Sequence, residues 1–65
     1  MNRFAVTVED LDYNVRRKEV HRAENKLIAV LCHSLIGAEF EGMVDEDDLQ
    51  KRCYDYGYHI EVTQL

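Results

Sequence analysis

KEVHRAENKLIAVLCHSLI, residues Lys18 to Ile36, is the only stretch long and apolar enough to be the spine of a core. Its apolar residues fall at Val20, Ala23, Leu27, Val30, Leu31 and Leu35, with Ser34 continuing the same face. That three-and-four spacing marks one face of a helix and runs too long for a half-buried strand. Ala, Leu, Lys, Glu and Arg dominate the stretch, so intrinsic propensity agrees with the pattern. Gly37 follows, where a left-handed stop is easiest for a residue without a Cβ. The spacing therefore predicts a long helix over 18–36, polar on most sides as far as Lys26 and apolar nearly all round from Leu27 to Ile36. An end that is apolar all round implies a sandwich, inside the domain or in a homodimer formed through Leu27–Ile36. One feature opposes this boundary: Arg16, Arg17 and Lys18 would sit at the positive end of the helix dipole. A competing reading runs a second strand through Tyr13, Val15 and Arg17.

Before the spine, Arg3 to Val8 (RFAVTV) alternate, with Phe4, Val6 and Val8 on one side, which is the period of a half-buried strand. Residues 9–14 (EDLDYN) read as a connection, with Leu11 and Tyr13 tucked inward. After it, residues 37–44 (GAEFEGMV) form a loop in which Phe40 alternates with acids, consistent with a short strand. Asp45 then caps a second helix, with Asp48 three positions on. Leu49, Cys53 and Tyr56 supply its inward stripe, Gly57 stops it, and Tyr58 to Leu65 alternate again as a terminal strand. The expectation is one α+β domain over 1–65, β-α-(short β)-α-β, with two helices on one face of a two- or three-stranded sheet. A chain of this length buries only about 60% of its unfolded surface, so its stability margin is thin.

Two cysteines are too few for a disulfide framework, and neither a leader sequence nor a run approaching the roughly 20 apolar residues of a membrane span is visible. A soluble, cytoplasmic protein without a membrane partner is expected. Net charge is −5, but it is unevenly spread. Residues 16–26 carry five bases against two acids, net +3, which leaves −8 for the remainder. Residues 39–48 alone hold six acids and no base.

Reaction chemistry finds little support. Cys32, His33, Cys53 and His59, with His21 in reserve, are the candidate metal ligands. Cys32 and His33 are adjacent, and the paired close spacings of structural zinc are missing, so both cysteines read as small core hydrophobes. Neither cysteine has the electropositive, open surroundings a thiolate requires. Gly37 and Gly42 lack the rest of a phosphate-binding loop. No catalytic residue, metal or cofactor is expected.

Two binding surfaces remain. Glu39, Glu41, Asp45, Glu46, Asp47 and Asp48, with Tyr54 beside them, would present an acidic and aromatic surface to a larger, basic protein. Arg16, Arg17, Lys18, Arg22 and Lys26 would instead track nucleic-acid phosphates; on a helix, Lys18, Arg22 and Lys26 lie four apart on one face. That segment lacks aromatic residues, and the overall charge is negative, which favours the first surface. In size and charge the chain resembles small acidic accessory proteins of bacteriophages, a similarity of type that no motif carries. The reading is a non-enzymatic inhibitor or adaptor, with a DNA- or RNA-binding regulator as the alternative.

Overall fold

A computed structural model describes residues 1–36, 40–42 and 45–65. Strand β1 (Asn2–Asp10) and strand β2 (Val15–Ala23) form a hairpin, followed by helix α1 (Lys26–Leu31), helix α2 (Glu46–Tyr56) and strand β3 (Tyr58–Gln64). The sheet order is β2-β1-β3, antiparallel throughout, with β1 in the centre. The domain is thus α+β with a small sheet, and the first and last strands pair with each other as the alternation of each implied.

The hairpin turn is built by its own polar residues. Asp10 Oδ1 accepts the backbone N–H groups of Asp12 (3.1 Å) and Tyr13 (3.3 Å), an Asx-type turn, and Asn14 takes the left-handed conformation at φ 54°. Leu11 and Tyr13 do not tuck inward. They stand 59% and 80% exposed, because the turn side chains that point back at the backbone are the acids.

Phe4, Val6 and Val8 cover one face of β1 and are buried. Ala23, Ala29, Val30 and Phe40 complete the core, with Leu27, Leu35, Ile36, Leu49, Cys53, Tyr58, Ile60 and Val62 packed around it. Both helices lie against this face; among the described residues nothing covers the other face of the sheet. Phe40 is fully buried, edge-on to Tyr58 with ring centroids 5.4 Å apart. Of the short strand expected over 37–44, residues 40–42 form a turn instead, and 37–39 and 43–44 lie outside the described residues.

The long helix expected over Lys18–Ile36 does not form. Residues 15–23 are a strand, and α1 spans six residues, started by Asn25, whose Oδ1 accepts the Ile28 N–H at 3.0 Å. The competing strand through Tyr13, Val15 and Arg17 holds for Val15 and Arg17, while Tyr13 lies in the hairpin turn. The physical reason is the central strand: β1 has two edges to fill, and β3 satisfies only one of them. Pairing over nine residues outweighs the modest helix preference of Lys, Glu, Arg and Ala. Strand formation also removes the three-base cluster from a helix N-terminus.

The apolar end of the spine is therefore used internally: Ala29 and Val30 are buried in the domain's own core. Ile28 and Leu31 remain 40% exposed, a small residue of the surface from which a helical dimer was expected.

Helix α2 follows its sequence signals closely. Asp45 caps it by accepting the Asp48 N–H at 2.9 Å, and Gly57 ends it in the left-handed region at φ 72°. Leu49 and Cys53 face the core, but Tyr56 is 49% exposed, because the helix ends before its last turn is covered by the sheet.

Candidate functional site

Three polar surfaces are built by this fold. The first is the open face of the sheet. Alternation along β2 sends Arg16, Lys18, Val20 and Arg22 to it, and the register sets Arg22 beside Arg3, Val20 beside Ala5, Lys18 beside Thr7 and Arg16 beside Glu9. From β3 come His59, Glu61 and Thr63. A shallow groove of about 290 Å³ runs across it, floored by Ala5 and Thr7 and walled by Arg16 and Lys18 on one side and Glu61, Thr63 and Leu65 on the other.

This placement revises the basic segment. Lys18, Arg22 and Lys26 do not share a helical face, since the first two lie on a strand and Lys26 opens α1. Arg16, Lys18 and Arg22 do share a face, with Arg3 joining them from β1. Arg17 points to the opposite side, where its guanidinium donates to Ser34 Oγ at 3.0 Å. Arg3 was missed in the sequence because its neighbours come from β2 only through pairing.

The second surface is the polar cluster on the helix side of β2. Glu19 Oε1 accepts the Ser34 N–H at 3.1 Å and lies 2.7 Å from His21 Nε2, and the Ser34 hydroxyl donates to Glu19 Oε2. The Ser34 hydroxyl first, and the His21 ring second, hold the Glu19 carboxyl down at about 2. His33 is buried. The Leu35 N–H donates to its Nδ1 at 3.1 Å, so Nε2 carries the proton and donates to the Arg17 carbonyl at 3.0 Å. These residues replace an apolar inner stripe on β2, which is why the strand did not alternate legibly. The cluster contains a Ser, a Glu and two His, but the Ser34 hydroxyl is committed to Glu19 and no imidazole activates it. Its arrangement is that of a clamp, not of a nucleophile with its base.

The third surface is the outside of α2. Glu46 and Asp47 are exposed in its first turn, Asp48 is half-buried, and Asp45 is the cap. Tyr54 is 90% exposed and lies seven residues beyond Asp47, two turns along the same face. Glu41 is exposed and its carbonyl accepts from the Arg52 guanidinium; Glu39 lies outside the described residues. The turn between β1 and β2 adds to this end of the molecule. Leu11 N–H donates to the Gly57 carbonyl at 2.8 Å, and Asp12 Oδ2 would stand 2.9 Å from a Cβ at Gly57. Exposed Leu11 and Tyr13 therefore sit at the same end as Tyr54 and Tyr56. Asp12 and Tyr13 carried no sequence signal for this, because their neighbour is 45 positions away in the chain.

Cys32 is exposed and Cys53 half-buried, with burial pushing the Cys53 thiol up; the expectation that both are core residues holds only in part. Among the described residues no three His, Cys, Asp or Glu side chains converge as a metal site, and no helix is long and apolar enough to cross a membrane. A cleft of about 310 Å³ lies between α2 and β3, lined by Leu49, Cys53, Tyr58 and Ile60, with Glu46, Gln50 and His59 completing its lining. No protein-family model, curated protein or solved structure matches the chain.

Proposed function

We propose that the chain is a non-enzymatic protein-binding module, an inhibitor or adaptor that engages a larger, basic protein through the outer face of α2. The observation that carries this reading is Tyr54, 90% exposed on a helix whose first turn holds Glu46, Asp47 and Asp48. A large, stiff, amphipathic ring held in solvent at a helix surface has the character of a binding anchor. The carboxylates in the first turn of the same helix favour encounter with a cationic surface, and the net charge of −5 acts in the same direction. Lys or Arg side chains arriving there would also meet the face of the tyrosine ring.

The test is affinity capture from nuclease-treated source-cell lysate, run side by side with the native chain and with Asp47→Lys/Tyr54→Ala. Retention of a stoichiometric protein by the native chain and its loss with the variant, at unchanged circular dichroism, is the expected result. Equal capture by both, or none by either, overturns the reading.

A second reading is favoured by a separate observation, the grouping of Arg3, Arg16, Lys18 and Arg22 on the open sheet face. Under it, that face contacts nucleic-acid phosphates. Strand residues two apart stand roughly 6.6 Å from each other, so the bases form a row and not a point charge. With no Phe, Tyr or Trp among them, contact would be to the backbone and steeply dependent on salt. Titration of labelled duplex and single-stranded DNA at several salt concentrations checks it. Arg16→Glu/Lys18→Glu/Arg22→Glu should abolish binding, and binding that is absent from the native chain removes this reading.

A further inference from the structure

The two outer edges of the sheet differ in a way that points to a second copy of the chain. Both β2 and β3 are edge strands, and an unpaired edge is a template for another strand. On β2, antiparallel self-pairing sets Arg16, Lys18 and Arg22 against one another. Symmetric registers centred on Lys18 and on Val20, and the one between them, oppose at least one pair of like charges. β2 is protected from its own kind.

β3 has the opposite character. Leu65 N–H donates to the Arg3 carbonyl (2.9 Å) and Leu11 N–H to the Gly57 carbonyl (2.8 Å), so the odd-numbered residues of β3 are bonded to β1. In an antiparallel ladder the even-numbered Ile60, Val62 and Gln64 then turn their N–H and C=O groups outward. Among the described residues, no strand pairs with this edge. The cleft of about 310 Å³ between α2 and β3 flanks the edge, and Leu49, Cys53 and Ile60 give it an apolar lining.

We infer that β3 pairs antiparallel with β3 of a second copy about a two-fold axis at Ile60, making one six-stranded sheet. This register is self-complementary. Ile60 meets Ile60 of the second copy as a hydrogen-bonded pair of outward-facing residues. Tyr58 meets Val62 on the helix face. On the open face His59 meets Glu61, and Glu61 meets His59, in the closely spaced non-hydrogen-bonded positions where a side-chain contact is strongest. An axis at Glu61 would set that carboxylate against itself, and one at Val62 would keep the same five-residue overlap but set Glu61 against Thr63, without the His59 partner. The apolar cleft is filled in this arrangement by Ile60 of the second copy. The interface is isologous and closes at two chains.

The experiment is sedimentation equilibrium of the full chain over a wide concentration range, with three variants. The native chain should show a monomer–dimer equilibrium. Glu61→Lys, on the exposed open face, should weaken it roughly tenfold or more, since it places a cation beside His59 in both symmetry-related pairs. His59→Asp/Glu61→Lys should restore the dimer by setting a carboxylate opposite the introduced cation. Ile60→Cys, in a Cys32→Ser/Cys53→Ser background, should cross-link to itself on mild oxidation. Circular dichroism identifies any variant that has lost its fold. A chain that is monomeric at every concentration overturns the inference. So does a dimer that Glu61→Lys leaves unchanged, which would place the contact elsewhere, for instance at Ile28 and Leu31.

Discussion

The carboxylate of Glu19 on β2 accepts both the backbone N–H (3.1 Å) and the hydroxyl of Ser34, so a single side chain fastens an edge strand to the turn beyond α1. His21, at 2.7 Å, and the Arg17 guanidinium, 3.9 Å from the carboxylate, complete the fastening. The consequence is a specific acid sensitivity. Ser34 and then His21 depress the Glu19 carboxyl to about 2, from an ordinary value of 4.5. A carboxyl depressed by folding contributes stability that is present in full above its unfolded value and is lost as pH falls through its folded value. Urea midpoints measured from pH 5 to pH 2 should therefore fall across that window. Glu19→Gln should have a lower midpoint at pH 7 and a flatter acid limb.

Phe40 tests whether the segment between the helices is part of the core. Its ring is fully buried against Tyr58 and 6.4 Å from Tyr56. Phe40→Ala should cost about 3–5 kcal/mol, enough to unfold most of a domain this small, whereas Phe40→Leu should retain a cooperative urea transition.

Gly57 is the second stability probe. A Cβ there would approach Asp12 Oδ2 at 2.9 Å, but the contact is with the end of an exposed side chain that can turn away. What remains is the left-handed backbone at φ 72°, so Gly57→Ala should lose about 1–2 kcal/mol in chemical denaturation. Gly57→Asn should lose less, and Asp12→Ala should recover little of the Ala penalty.

Removal of the α2 cap gives a third. Asp45→Ala leaves the Asp48 N–H without its acceptor and should lower stability by about 1 kcal/mol, while Asp45→Asn or Asp45→Ser should hold it near the native value. Thermal melts followed at 222 nm would resolve the difference.

Much of this architecture is legible along the chain, and the failures have identifiable causes. Phe4, Val6 and Val8 alternate because one face of β1 is apolar and the other is open. Asp45 and Gly57 mark α2 because capping is decided by residues close in sequence. The strand over 15–23 is illegible for the reverse reason. Its middle inward positions are Arg17, Glu19 and His21, which are tolerable there only because Ser34, His33 and the turn around them supply partners. No periodicity in VRRKEVHRA announces those partners. Val20 completed a helical pattern by coincidence; it stands 49% exposed on the open face. The surfaces divide in the same way. Glu46, Asp47, Asp48 and Tyr54 could be grouped from sequence because they lie on one helix, whereas Arg3 and Asp12 enter only through strand pairing and the hairpin turn.

The position of β1 in the middle of the sheet carries one further consequence, for the order of assembly. β1 and β2 close over a four-residue turn and can pair as soon as residue 23 is made. The other side of β1 finds its strand only across some 50 residues of chain, at Tyr58–Gln64. Between those events a hairpin with Phe4, Val6 and Val8 on one face and an open edge must wait in solution. Contacts of such long sequence separation are slow to form. β3 is thus the strand that completes the sheet, and refolding should be limited by its arrival.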